Sequence, residues 1–204
     1  GNGFVHTANH GTPDRRWSKI LGEYLSRFGI VVPESPAVLD IGCGNNATWN
    51  YLALISYLSE RALGFPQYVG VDMYEEAFSK AREGLEGLAI FIACDARELS
   101  RHVEGPFHLI LCQHPPLTTS KEGPRIWQAV FEEAARVLDP EGCFVLTSFW
   151  VNDHIPAQVA VQKAGLEILY SGKNAYPGKI FDKGSDGEDL QYDKYILLAR
   201  KPRS

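Results

Sequence analysis

Three carboxylates and one imidazole each close an apolar run in this chain: Asp40, Asp72, Asp95 and His114. The first is the most telling. Ala37-Val38-Leu39-Asp40-Ile41 runs into Gly42-Cys43-Gly44-Asn45-Asn46, an apolar strand followed by two glycines at alternate positions. Glycine at such a turn lets backbone approach a ligand that any side chain would hold off. A helix starting just beyond would aim its N–H groups and positive dipole end at the same point. The acid, however, precedes the glycines, and no third glycine follows at the dinucleotide-binding step. A carboxylate there repels a pyrophosphate and suits a ligand with a cationic end.

Further along, Tyr68-Val69-Gly70-Val71-Asp72-Met73 and Ala89-Ile90-Phe91-Ile92-Ala93-Cys94-Asp95-Ala96 are again apolar strands ending in acids. Phe107 to Cys112 forms another strand and runs into Gln113-His114-Pro115-Pro116-Leu117. Carboxyl ends of strands are where open α/β sheets bind ligands. Neutral imidazole can accept a proton near pH 7, so His114 is a candidate general base; the plainer alternative is a turn histidine that orients substrate or caps a helix.

These segments must be held by alternating strands and helices. Strand signals fall near 37–42, 67–72, 88–94, 107–112 and 142–149, with helical periodicity between them. Trp17, Ile20, Leu21, Tyr24, Leu25 and Phe28 mark an amphipathic helix over 14–28. Pro124 opens a helix whose inner face is Ile126, Trp127, Val130, Phe131, Ala134, Val137 and Leu138. A last helix is expected over 156–164, then strands at 166–170 and 195–199. Such alternation gives a doubly covered parallel sheet.

Asp40 and Asp72 stand 32 residues apart, against about 20 between glycine turn and ribose acid in a compact unit of this kind. The excess lies in 48–66 and reads as a long helix carrying Leu52, Ile55, Leu58 and Leu63 inward, stopped by Gly64-Phe65-Pro66.

In order and type, these elements resemble the class I S-adenosylmethionine-dependent methyltransferases. The Asp40–Gly44 turn is similar to motif I of that family, and S-adenosylmethionine carries the ammonium and sulfonium that suit Asp40. The resemblance implies that Asp72 takes both ribose hydroxyls and that Met73 packs on adenine. It implies that Asp95 meets the adenine amino group and the Ala96 backbone meets the ring. Asp40, Gly42, Cys43, Gly44, Asn45 and Cys112 complete the expected cofactor contacts. Ala135 to Gly142 resembles the family's helix end and turn before strand five.

The implied fold is a three-layer α/β/α Rossmann-like sandwich with a mostly parallel seven-stranded sheet, the last strand antiparallel. Residues 1–204 are expected to form a single domain, with 1–30 an N-terminal segment and helix. The implied activity is methyl transfer to an acceptor that no motif specifies. A branch acting on planar amino nitrogens has Asn or Asp before Pro-Pro and an aromatic residue after it; here His114 and Leu117 stand in those places. Three rival readings are a nicotinamide-dependent reductase, which should have a third glycine where Asn46-Ala47-Thr48 stands, a non-catalytic S-adenosylmethionine-binding partner subunit, and a transferase using another group of the same cofactor.

Composition bounds the rest. The net charge of −5 provides no general pull toward nucleic acid, so a small molecule or protein side chain is favoured as acceptor over RNA. No run of 18 apolar residues suggests a membrane span and no leader is recognisable, so a cytoplasmic location is expected. Cys43, Cys94, Cys112 and Cys143 have no paired ligand spacing, so they read as reduced apolar fillers and no metal is expected. His6 and His10 sit in a Gly- and Asn-rich stretch that reads as disordered, while Arg15, Arg16 and Trp17 read equally as cofactor cover or as packing and solvation. The 171–194 connection is long for a compact domain. It reads equally as a substrate-side lid or a mobile hairpin.

Overall fold

The structure, a computed structural model, describes residues 15–203; the His6 and His10 pair lies outside them. Seven strands form one sheet in the order β3-β2-β1-β4-β5-β9-β6. They are β1 (Ala37–Ile41), β2 (Gln67–Asp72), β3 (Ala89–Ala93), β4 (Phe107–Gln113), β5 (Leu138–Ser148), β6 (Glu167–Lys173) and β9 (Tyr195–Arg200). β1 to β5 pair in parallel, whereas β9 inserts antiparallel between β5 and β6. Strand order reverses direction between β1 and β4, the switch point beside which such sheets bind ligands.

The central strands are apolar on both faces because both are covered. One face carries α1 (Arg16–Arg27), α2 (Ala47–Ser59) and α3 (Ser79–Gly84), packed through residues such as Trp17, Leu21, Tyr51, Leu54 and Phe78. The other carries α4 (Gly123–Val137) and α5 (Val151–Lys163), packed through Val130, Phe131, Ala157 and Val161. Phe131 is completely buried and stands edge-on to Phe144; a buried phenyl of this kind contributes roughly 1.5–3 kcal/mol. Three layers and one antiparallel strand match the expected Rossmann-like sandwich.

Four local readings need correction. The helix after motif I ends at Ser59 rather than near Leu63, because Ala62 takes a left-handed φ of 55° and Leu63 N–H returns to the Leu58 carbonyl. That is a helix-ending turn without its usual glycine. Its inner face is also rotated: Asn50, Tyr51, Leu54, Tyr57 and Leu58 are buried, while Leu52 and Ile55 are half-buried. Asn50 faces a buried carboxylate, so a polar residue holds what apolar periodicity assigned to others. The helix expected from Pro156 starts at Val151 and carries Pro156 within it. Finally, 139–142 does not simply precede β5: Leu138 already pairs with Phe107, and the residues after it bulge out before Cys143 rejoins at Leu109.

The 171–194 connection contains two further strands, β7 (Ile180–Lys183) and β8 (Asp189–Gln191), paired as a hairpin. It is tied down at many points. Ala175 N–H donates to the Tyr24 hydroxyl, Arg16 to the Tyr176 carbonyl, and Gln191 N–H to the Phe149 carbonyl. Glu188 accepts from both Lys194 and Tyr195 at 2.8 Å.

Candidate functional site

At the end of β1 the chain turns on Gly42 (φ 68°) and Gly44 (φ 50°). Gly42 and Cys43 N–H both donate to the Val71 carbonyl, which locks the turn to β2. A methyl group added at Gly42 would meet nothing within 4 Å. The left-handed backbone therefore sits over open space, where a ligand could approach the main chain directly.

Asp72 closes β2 beside this turn. Its Oδ2 accepts Gly44 N–H at 3.0 Å and its Oδ1 accepts Met73 N–H at 2.8 Å. Two backbone donors aim the carboxylate while leaving each oxygen a second lone pair for an outside donor. Met73 follows with nearly half its surface exposed, an apolar side chain available to cover a flat ring. Geometry here suits a ribose and an adjacent base.

The side chains of the other expected contacts have protein partners of their own. The Asn45 side chain caps α3, its Oδ1 accepting from Lys80 and Ala81 N–H, so only its main chain faces the turn. The Cys43 thiol packs against β2 near Gly70. Cys112 is buried in the α4-side core, so its backbone alone reaches the strand end. Burial pushes both thiols up, and Cys143 rises to about 12. Asp95 caps the turn beginning at Ala96, and its two oxygens take Arg97 N, Nε and Nη2 at 2.6–3.1 Å. The guanidinium holds its carboxyl below the usual range. A base amino group reaching Asp95 has to compete with Arg97. Among the described residues no group of three or more His, Cys, Asp or Glu is placed to hold a metal.

Asp40 is not at the mouth of the turn. It is 1% exposed, accepts from the Tyr68 hydroxyl, and takes Asn50 Nδ2 at 2.8 Å. Burial raises its carboxyl to about 6, against the lowering effect of those two donors. Asn50 Nδ2 also lies 3.0 Å from Gln113 Oε1, and Asn46 Nδ2 reaches the same oxygen at 3.2 Å. A polar chain thus runs from the buried acid to the end of β4. None of its amide or phenol members carried a sequence signal; Asn50 and Tyr68 sat within stretches read as apolar.

His114 follows β4 with a left-handed φ of 54°. Its Nε2 lies 3.1 Å from Asp193 Oδ1 and 2.9 Å from Asp193 N. Nε2 donates to the carboxylate when it carries a proton and accepts from the amide when it does not. Asp193 is itself a buried hub: Arg16 Nη2 at 2.8 Å, Trp17 Nε1 at 3.2 Å and Thr147 Oγ1 at 2.6 Å also reach its carboxylate. Burial alone would raise its carboxyl, but His114 and Arg16 beside it hold it well below the usual range. Phe149 and Tyr192 flank the His114 ring at 5.5 and 6.0 Å, with Phe181 stacked on Tyr192 at 4.4 Å. Sequence reasoning named His114 but missed Asp193, which lies 79 residues later in a polar stretch. Arg16 and Trp17 therefore reach the site through Asp193.

Comparison with known proteins is consistent with this layout. A family model described as a methyltransferase domain matches residues 34–191. No curated protein matches the chain. Among solved structures, a TehB-like SAM-dependent methyltransferase from Corynebacterium glutamicum is 16% identical, with a TM-score of 0.62, covering 96% of this chain and 92% of that one. An S-adenosylmethionine-dependent methyltransferase from Clostridium acetobutylicum is 14% identical, with a TM-score of 0.63 and coverage of 95% and 94%. A putative methyltransferase of Haloferax volcanii, solved in complex with the Trm112 methyltransferase activator, is 17% identical, with a TM-score of 0.63 and coverage of 97% and 94%. With its motif I turn at a switch point, its aimed Asp72 and a family model spanning most of its length, the chain belongs to the methyltransferase domain family and has the class I S-adenosylmethionine-dependent methyltransferase fold.

Proposed function

We propose that the crevice formed by the ends of β1, β2, β3 and β4 binds S-adenosylmethionine and that the acceptor sits beside His114. The carrying observation is Asp72, oriented by Gly44 and Met73 N–H next to the open face of Gly42. Bound there, the cofactor supplies a methyl already activated by its sulfonium. The protein's work is then chiefly orientation, which can contribute roughly 7–11 kcal/mol.

In this reading Gly42 and Gly44 admit the ligand to the main chain, Asp72 fixes the ribose, and Met73 covers the base. Asp95 and the Ala96 main chain would bound the base on the far side. His114 holds the acceptor's proton. Asp193 fixes the imidazole for that task, its N–H donating to Nε2 at 2.9 Å and its Oδ1 lying 3.1 Å from the same nitrogen. The Phe149, Phe181 and Tyr192 rings form an apolar wall beside the imidazole, and the β7–β8 hairpin acts as the substrate-side cover. The wall and the negative net charge favour a small molecule or a protein side chain over RNA. Four free buried cysteines suit a reducing cytoplasm, and no helix among the described residues is long and apolar enough to cross a membrane.

Calorimetry tests the cofactor: S-adenosylhomocysteine should bind, and NAD should not. Labelled methyl donor offered with small amines and phenols, unmodified protein and RNA then tests the acceptor. Incorporation into RNA alone would reverse the acceptor assignment.

A further inference from the structure

The Asp40–Asn50–Gln113 chain has a direction. A primary amide offers one oxygen acceptor and two N–H donors, and only the donors suit a carboxylate. Asn50 must therefore turn Nδ2 toward Asp40, 2.8 Å away. The same nitrogen carries its second hydrogen toward Gln113, 3.0 Å away, so Gln113 must answer with Oε1. Asn46, which turns its Nδ2 toward Asn50 Oδ1 at 3.5 Å, brings the same nitrogen to 3.2 Å from that oxygen and so fits the same orientation. Gln113 Oε1 is thereby used twice. Its Nε2, with two hydrogens, has no partner among the described residues.

Those hydrogens stand at a defined place. β4 pairs with β1 through Cys112 and Ile41, so the next residues, Gln113 and Gly42, follow adjacent strand positions at the switch point. Gly42 leaves open space there. A neutral, buried-anchored NH2 beside that opening suits an acceptor-only group with two oxygens. It offers nothing to an ammonium, because its own oxygen is consumed. We propose that Gln113 recognises the α-carboxylate of the cofactor's amino-acid end, with Asp40 and Asn50 as positioning residues that set its polarity. Asp40 therefore does not act as a direct counter-charge to the ammonium. This assignment rests on the cofactor reading above.

The test uses three adenosyl thioethers that differ only at the sulfur's other substituent. S-adenosylhomocysteine has carboxylate and ammonium, its decarboxylated analogue has the ammonium alone, and 5′-methylthioadenosine has neither. In Gln113→Glu one oxygen can still accept from Asn46 and Asn50, while the other replaces the NH2 with an acceptor. S-adenosylhomocysteine should bind at least about tenfold more weakly, the scale of one hydrogen bond to a charged group. The decarboxylated analogue and methylthioadenosine should hold their affinity within about twofold. Gln113→Met, isosteric and neutral, should show the same selectivity with a smaller loss, and melting curves confirm folding of both variants. Unchanged S-adenosylhomocysteine affinity in both folded variants overturns the assignment. Equal losses for all three ligands also overturn it, because they show a role in folding the crevice instead. Failure of all three to bind the unsubstituted protein is a separate result and overturns the cofactor reading itself.

Discussion

The carboxylate of Asp193 stands between Arg16 Nη2, 2.8 Å from Oδ2, and His114 Nε2, 3.1 Å from Oδ1. One buried anion thus joins α1, the turn after β4 and the long connection after β6. Its charge matters more than its shape.

Asp193→Asn keeps the volume and removes the charge, leaving the Arg16 guanidinium beside a neutral amide. Breaking one side of a buried ion pair costs roughly 3–5 kcal/mol. Denaturant unfolding of Asp193→Asn, Arg16→Gln and the double variant should show the double costing clearly less than the sum. Additive losses would show that the two side chains do not act together. Because the folded Asp193 carboxyl is held low, its contribution is present above about pH 4 and fades as pH falls further.

Asp72→Ala removes the acceptor for Gly44 and Met73 N–H together with the anion facing the crevice. Titration with S-adenosylhomocysteine should show binding weakened at least about tenfold, since 1.4 kcal/mol is one decade. Asp72→Asn retains one acceptor and should fall between the two. Full affinity in a folded Ala variant would remove Asp72 from the site.

Two buried groups oppose each other in mild acid. Asp40 titrates at about 6 in the fold against an ordinary 3.8, so its contribution is complete below about pH 4 and is lost as pH rises through 6. His154, buried between Ser148 Oγ at 3.0 Å and Ser171 Oγ at 2.9 Å, is lowered by burial from 6.5 to about 4. Its contribution is complete above about pH 6.5 and is lost as pH falls through 4. At about 1.36 kcal/mol per pH unit each is on the order of 3 kcal/mol, with opposite slopes. Asp40→Asn should therefore expose a stability that climbs by about 3 kcal/mol between pH 4 and 6.5, while the unsubstituted protein stays flatter. Urea unfolding at several pH values reads this directly; parallel curves for the two proteins would mean that Asp40 is ionised throughout.

Strand ends were legible because burial on both faces writes a strand as an apolar run, and an acid that interrupts it marks where cover ends. Asp72 and the Gly42–Gly44 turn follow from that rule. Asp40 followed it only halfway: its position was readable, but its contact with Tyr68 and Asn50 depends on a helix face that amide and phenol side chains disguise. Asp193 was invisible for a different reason. A single acid in a polar connection looks like solvated surface until the sheet brings Thr147, His114 and Trp17 against it. Asn45 shows the converse, a motif residue whose side-chain oxygen accepts from the first N–H groups of α3.

The connection from β6 to β9 leaves and re-enters the sheet at one rung, where Lys173 pairs with Tyr195. The ladder below that rung is closed whatever lies above it. Doubling the length of such a closed excursion costs only about 0.6 kcal/mol in chain entropy. The hairpin is therefore an exchangeable cassette: selection or engineering can lengthen, shorten or replace β7 and β8, provided that Asn174 and Asp193 still plug the stem. Divergence of what the protein accepts could proceed there without the fold having to be found again.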